Sequence, residues 1–321
     1  MLKFKTRIPH MAFFFVASLM VCAALNVQAQ SPQTFVSARI GVDVGSCTLA
    51  GPCRTVSYAI TQLQNFGQIL IVDSGDYDSQ VSIDRSVTVA AAPGVVAVFS
   101  AAVSNGSIFF SAGGPAICSQ QGVCHTLVLR GLMFDGQQIT HDAVRAGGFR
   151  LTVENCHFSR FEMGIFMNGA GTLNIKRSTF REINHGIFVA PVGSNKTVTG
   201  TVEDSNFVEM RISGINANTN GSNTLRLSVY NSSFSHSGST AIRSAAAGGA
   251  IQFNLEGCHI ASSGTGVLSV NGSSVVRVSN STIVNNTTGL ATSFGVLLTR
   301  GNNTVEGNNF NGSFTGTFSA Q

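Results

Sequence analysis

Charge is scarce in this sequence, at 11% of 321 residues, and what charge there is nearly cancels. Of the 19 basic residues, Lys3, Lys5 and Arg7 precede the apolar run "MAFFFVASLMVCAAL" and the small-residue stretch "NVQAQ". That order reads as a secretory signal peptide over residues 1–29, cleaved after Ala29. The competing reading, a lipid anchor at Cys22, is disfavoured by Val21, where a small residue is required. Taking those three from the 19 leaves 16 basic against 15 acidic residues. A near-neutral mature chain offers no electrostatic footing for nucleic acid or anionic lipid. Beyond residue 29 no run is long and apolar enough to span a bilayer, and no stop-transfer or sorting motif follows, which argues against integral anchoring. The chain is expected to be extracytoplasmic. At 43% apolar it is no disordered polymer, and 321 residues suffice for one large domain or two ordinary ones.

Cysteine is also limited: setting aside Cys22, six of the seven remain. In an oxidising compartment Cys47 and Cys53, bracketing "TLAGP", and Cys118 and Cys124, bracketing "SQQGV", are expected to close two local disulfides. The remaining two sit in "VENCHF" and "LEGCHI", a repeated Cys-His pair that raises the question of an activated thiol or a metal site.

Those two stretches belong to a longer series: "LRGLMF", "VENCHF", "IKRSTF", "VEDSNF", "VYNSSF", "LEGCHI", "VSNSTI" and "VEGNNF". Their last residues are Phe134, Phe158, Phe180, Phe207, Phe234, Ile260, Ile283 and Phe310, spaced 24, 22, 27, 27, 26, 23 and 27 apart. Six or seven residues after each of the last seven comes a small residue before, with one exception, an apolar one: Gly164-Ile165, Gly186-Ile187, Gly214-Ile215, Ala241-Ile242, Gly266-Val267, Gly289-Leu290 and Gly316-Thr317. Period-two alternation rich in β-branched and aromatic residues, broken by Gly, Asn and Ser, leaves no room for a helix in each repeat. Short strands in coils of about 25 residues define a β-helix. The third motif residue is Gly131, Asn155, Arg177, Asp204, Asn231, Gly257, Asn280 and Gly307. All but Arg177 are types that tolerate the left-handed backbone of a sharp corner.

If the Phe/Ile column points inward, so does the residue two before it: Leu132, Cys156, Ser178, Ser205, Ser232, Cys258, Ser281 and Asn308. His157 and His259 then point outward, and each Cys-His pair is split across the sheet. Cys156 and Cys258, four coils or about 19 Å apart, cannot bond to each other.

Ahead of the repeats, "RTVSYAITQLQNFG" places Val56, Ala59, Ile60 and Leu63 at helical spacing, with Gly67 as a stop. Such a helix would cover the open end of the solenoid. With "TFVSARIGVD", "CTLAGPCRTVSYAI" and "GQILIVDSGDYDSQVSIDRSVTV" ahead of the aligned repeats, residues 34–317 resemble the right-handed parallel β-helix proteins of the pectin-lyase-like group. The resemblance implies an all-β, single-stranded right-handed parallel β-helix over 30–321, with 34–67 as opening segment and cap and 68–317 as coils. This fold hosts lyases, hydrolases, esterases, adhesins and tailspikes.

The enzymatic motifs of such proteins are missing. There is no Asp-Asp and no Arg-Ile-Lys, and "NHG" at 184–186 matches a catalytic histidine motif only faintly. Asp73, Asp76 and Asp78 lack calcium-loop spacing and read as a turn. No cofactor or metal site is expected. Residues 130–211 nevertheless carry 17 charged residues, whereas 212–321 carry six. Two places after the Phe/Ile column, Arg160, Glu182, Glu209 and His236 stack outward, with Glu162, Arg181, His185 and Arg211 nearby; "HDAVR" at 141–145 continues this flank.

At about 4.8 Å per coil, Glu182 and Glu209 approach the separation of paired catalytic carboxylates. The plainer reading is an ion-pair ladder, with Arg160 over Glu182 and Glu209 beside Arg211. Two functions remain in view. One is a non-catalytic, monomeric binding protein for a polysaccharide or other cell-surface glycan. The other is a polysaccharide lyase or glycoside hydrolase with Glu182, Glu209, Arg160 and Arg181 in a groove on the charged flank.

Overall fold

A short strand with alternating inward and outward side chains leaves its backbone groups unpaired until a neighbour arrives. The computed structural model describes residues 30–77, 80–100, 110–113, 125–137 and 142–319, and in it each coil supplies that neighbour to the next. The coil beginning at Phe149 has strands Phe149–Glu154, His157–Ser159 and Met163–Met167. Each pairs in parallel with its equivalents one coil before and after. Stacking builds three sheets, of 12, 10 and 9 strands among the described residues, called here the first, second and third in chain order. The result is a right-handed parallel β-helix. The leader and its cleavage site after Ala29, Cys22, Asp78, His141 and the Cys118–Cys124 pair lie outside the described residues.

The aromatic column forms the spine. Phe134, Phe158, Phe180, Phe207 and Phe234 are fully buried and stack ring on ring, with centroids 4.8, 4.8, 4.8 and 4.6 Å apart and planes within 6° of parallel. The ring of one coil fills the space over a glycine of the coil before: a Cβ on Gly186 would lie 2.8 Å from Phe207 and 2.7 Å from the Gly214 carbonyl. That crowding explains the small residue before each Ile.

Beside the spine runs the expected hydroxyl ladder. Ser178 Oγ accepts from the Cys156 amide, Ser205 Oγ from Ser178 and Ser232 Oγ from Ser205, at 3.1–3.2 Å. Each serine hydroxyl donates to the carbonyl two residues back. The amides of Cys156, Ser178 and Ser205 are thereby matched to the next coil, and the serine hydroxyls within their own. Cys156 and Cys258 occupy the same ladder, are free and buried, and burial pushes their thiols up to about 12 and about 11.

The last repeat departs from the expected register. Ile283 pairs with Val305, not Phe310, and Phe310 is mostly exposed. The ladder continues through Asn303, whose Oδ1 accepts from the Ser281 amide, while Asn308 joins a second ladder by accepting from Asn286. Consecutive asparagines satisfy either ladder, so the motif alone does not fix the frame. Gly316-Thr317 likewise pairs with Leu298-Thr299 in the first sheet and is not part of the Gly-Ile column.

Both tight corners use left-handed backbone. At the first, Gly131, Asn155, Arg177, Asp204, Asn231, Gly257 and Asn280 have φ of 47–65°. Arg177 follows the rule its side chain seemed to break, and its Nε donates to Asn155 Oδ1 at 2.9 Å. At the second corner Arg160, Glu182, Glu209, His236, Ser262, Asn285 and Gly307 have φ of 54–64°. Gly307 therefore belongs to the second corner, not the first.

The capping helix spans only Val56–Thr61, with Thr55 accepting from the Tyr58 amide, and buries Val56, Ala59 and Ile60. Leu63 and Gly67 instead lie in the strand Leu63–Ile71, because pairing with the opening strand and with Val87 overrides the helical spacing. Cys47 and Cys53 are disulfide-bonded beside this cap. Asp73 serves the adjoining turn, accepting from Ser37 Oγ, the Ala38 amide and Tyr77 Oη at 2.6–2.8 Å.

Phe180→Ala, which opens a hole in the middle of the ring stack, should cost about 3–5 kcal/mol; an unchanged denaturant midpoint would contradict the spine assignment. Cys156 and Cys258 should stay silent to a thiol reagent until the coils open. Modification under native conditions would place them outside the ladder.

Candidate functional site

Arg160, Glu182 and Glu209 project from the second corner, and Arg181 from the second sheet. Left-handed backbone at non-glycine residues can mark strain held for function. Here it persists through Ser262 and Asn285, beyond the charged coils, so it is a property of the corner. The ion pairs differ from those expected. Arg160 binds Asp135 of the preceding coil, its Nε 2.9 Å from Oδ1. Arg181 Nε lies 3.1 Å from Glu182 and 2.9 Å from Glu209, so one guanidinium separates the two carboxylates. Burial pushes Asp135 up, but hydrogen bonds from Arg160 and the Gln137 amide outweigh it and hold the carboxyl below its ordinary range.

These side chains are about half exposed, where each pair is worth about 0–1 kcal/mol. Arg160, Arg181 and Glu182 edge a depression of about 200 Å³ that also takes in His157 and Ser159, and Glu209 is not part of its lining. A second ladder on the first sheet, Arg130 with Glu154 at 2.7 Å and Lys176 with Glu203 at 2.9 Å, repeats the arrangement as plain charge alternation between coils.

A larger concavity lies elsewhere. On the third sheet the residue after each Gly-Ile pair points outward: Phe166, Phe188, Asn216, Arg243 and Leu268 on five successive coils. Of these, Phe166 and Arg243 line a groove of about 470 Å³, with the turn beginning at Ala190 on one side and Asn218, Ala245 and Val270 beside them. Phe166 stacks on Phe188 with centroids 5.4 Å apart and carries Arg145 over its other side at 5.2 Å. His185 stacks on Phe188 and shares a 2.6 Å hydrogen bond, Nδ1 to Oγ, with buried Ser213.

Arg243 dominates the groove chemically. Its Nη1 donates to Asn216 Oδ1 at 3.2 Å and to Asn218 Oδ1. Among the described residues it forms no ion pair. Burial without a counter-charge draws its guanidinium below the ordinary arginine value. A half-buried cation oriented by two neutral amide oxygens, with no carboxylate among the described residues to neutralise it, is suited to an anionic group.

The Gly-Ile pair is legible in the sequence, whereas the residue after it is not among the expected site residues. The signal was present as "GIF", twice, at 164–166 and 186–188: an outward aromatic where alternation calls for a polar residue. Arg243 had no such mark, since its isolation depends on which turn folds over it.

This architecture defines the class. A rhamnogalacturonan lyase superposes with a TM-score of 0.53 and 11% identity, over 79% of this chain and 76% of that one. A pectate lyase superposes with a TM-score of 0.53 and 13% identity, over 91% of this chain and 79% of that one. The chain thus has the pectin-lyase-like fold, and at such identity the likeness is one of fold. No protein-family model matches the chain, and no curated protein matches it in sequence.

His157 and His185 are both held below the ordinary histidine value, first by burial and second by Arg181 and Arg243 respectively. The unfolded chain then binds more protons, so stability should fall as pH drops below about 6.5. H157Q/H185Q should flatten that decline in denaturant midpoints compared at about pH 7.5 and about pH 5.5. A slope identical to that of the parent protein would show that neither ring carries the effect.

Proposed function

We propose that the protein is a non-catalytic, extracytoplasmic glycan-binding β-helix whose groove on the third sheet holds an anionic polysaccharide. The observation that carries this reading is Arg243, a half-buried guanidinium without a carboxylate partner among the described residues, in the groove on the third sheet. Phe166 supplies an aromatic wall, and the Asn218 and Asn220 amides supply hydrogen-bonding groups, the mixture that saccharide sites use. The residues lining the groove include no carboxylate. Two-carboxylate hydrolysis therefore has no acid and no base there. The names of the two superposable proteins, a rhamnogalacturonan lyase and a pectate lyase, agree with a carbohydrate partner. The Cys47–Cys53 disulfide agrees with an oxidising compartment, and no described helix is long and apolar enough to cross a membrane.

A second reading rests on the depression beside His157. There Glu182, Arg160 and Arg181, together with Glu209 beyond its lining, would act on a sugar chain as lyase or hydrolase groups. Its weakness is that both carboxylates are already tied to Arg181.

One screen separates the two. Residues 30–321 are mixed with acidic and neutral polysaccharides, and bound fraction and new reducing or unsaturated chain ends are both measured. Binding of acidic polymers without new ends, weakened about tenfold or more in Arg243→Gln, is the expected result. New ends that vanish in E182Q/E209Q would transfer the function to the charged flank. Equal binding of acidic and neutral polymers, indifferent to Arg243→Gln, would remove the anionic site.

A further inference from the structure

The groove has a direction. Its floor includes Ala190, Asn218, Ala245 and Val270, equivalent outward positions on successive coils, with Phe166 one coil before them. Its length therefore runs along the solenoid axis for four coil steps, about 19 Å. A ligand that fills it is an extended oligomer lying across the coils.

One coil beyond Val270 the chain presents Phe294. Its backbone bridges to Val270, and the Asn271 amide donates to the Ser293 carbonyl at 2.8 Å, so the residue continues the line of the groove. Its ring is 89% exposed, the most exposed large apolar side chain among the described residues. Its φ is 61°, whereas at the same turn the three preceding coils place Gly221, Gly248 and Asn271 in left-handed backbone. Gly and Asn tolerate that conformation, and a bulky residue does so at a cost. Neither the core nor the turn calls for an aromatic at this position.

The geometry points to a terminal subsite: Phe294 extends the groove by one coil and stacks against the apolar face of a sugar ring. The full site then runs from Phe166 to Phe294, five coil steps or about 24 Å, with Arg243 between the two aromatics. This rests on the glycan reading of the groove and adds to it a minimum ligand length and an orientation. Sugar rings present a C–H face that an exposed aromatic covers, whereas a lone surface phenyl gains nothing from water.

The chain contains no tryptophan, so a single introduced indole reports on one place alone. Val192→Trp sits on the groove wall and Phe294→Trp at the proposed terminal subsite; both positions are mostly exposed, so neither change disturbs the core. Each variant is titrated with oligogalacturonates from dimer to decamer, following indole fluorescence, with calorimetry on the parent protein and on Phe294→Ala. The indole at 192 should respond to short and long chains, and the indole at 294 only to chains long enough to span the groove. Phe294→Ala should weaken long chains by roughly three- to tenfold and leave short ones unchanged. A silent indole at 294 with chains that bind at 192, or an effect of Phe294→Ala independent of length, overturns the terminal subsite alone. Silence at both positions and in calorimetry overturns the groove as a glycan site and the subsite with it.

Discussion

Every other feature of this molecule depends on the main-chain hydrogen bonds that run from coil to coil and hold equivalent residues about 4.8 Å apart. At that spacing a side chain's nearest neighbour is its own counterpart in the next repeat. Each column must therefore be compatible with itself. Phenyl rings satisfy the requirement by stacking in parallel, as five do from Phe134 to Phe234. Serine satisfies it because a hydroxyl can accept from one coil while donating within its own. Charge satisfies it by alternating, as Arg130, Glu154, Lys176 and Glu203 do, or by a guanidinium set between like charges, as Arg181 is between Glu182 and Glu209.

This constraint also decides what could be read from the sequence. Inward columns repeat because they touch themselves, so the Phe spine, the Ser ladder and the first corner were legible, including Arg177 at a position whose residue type argued against it. The last coil was misread because Asn303 and Asn308 serve two adjacent ladders and both match the motif. The helix was overextended because Leu63 keeps helical spacing while already pairing as a strand. Ion pairs were legible as a flank but not as partners, since Arg160 reaches back to Asp135 and Arg181 divides itself between two glutamates. The groove was the least visible. It is built from an outward column that does not repeat, beneath a turn whose length is irregular.

The two candidate sites differ in how their charges are settled. On the flank Asp135 takes the Arg160 guanidinium, and Glu182 and Glu209 share that of Arg181, so these charges are paired within the chain. In the groove, half-buried Arg243 donates to two amide oxygens, and Asn216, at 7% exposure, is almost wholly enclosed beside it. A cation in that condition has lost part of its hydration without gaining a carboxylate among the described residues, so an approaching anion would meet a smaller desolvation cost.

From Phe149 to Thr288 the first tight corner takes two residues between its strands and the second takes three or four. The turn from the third sheet back to the first varies more: it passes directly through Gly148 in one coil and takes seven residues, 190 to 196, in another. Across these coils the greater variation in length falls on one edge of the solenoid, the edge that walls the groove. The scaffold behaves as a fixed rail with an exchangeable wall, on which recognition can be rewritten by swapping one segment while the spine, the ladders and the cap stay as they are.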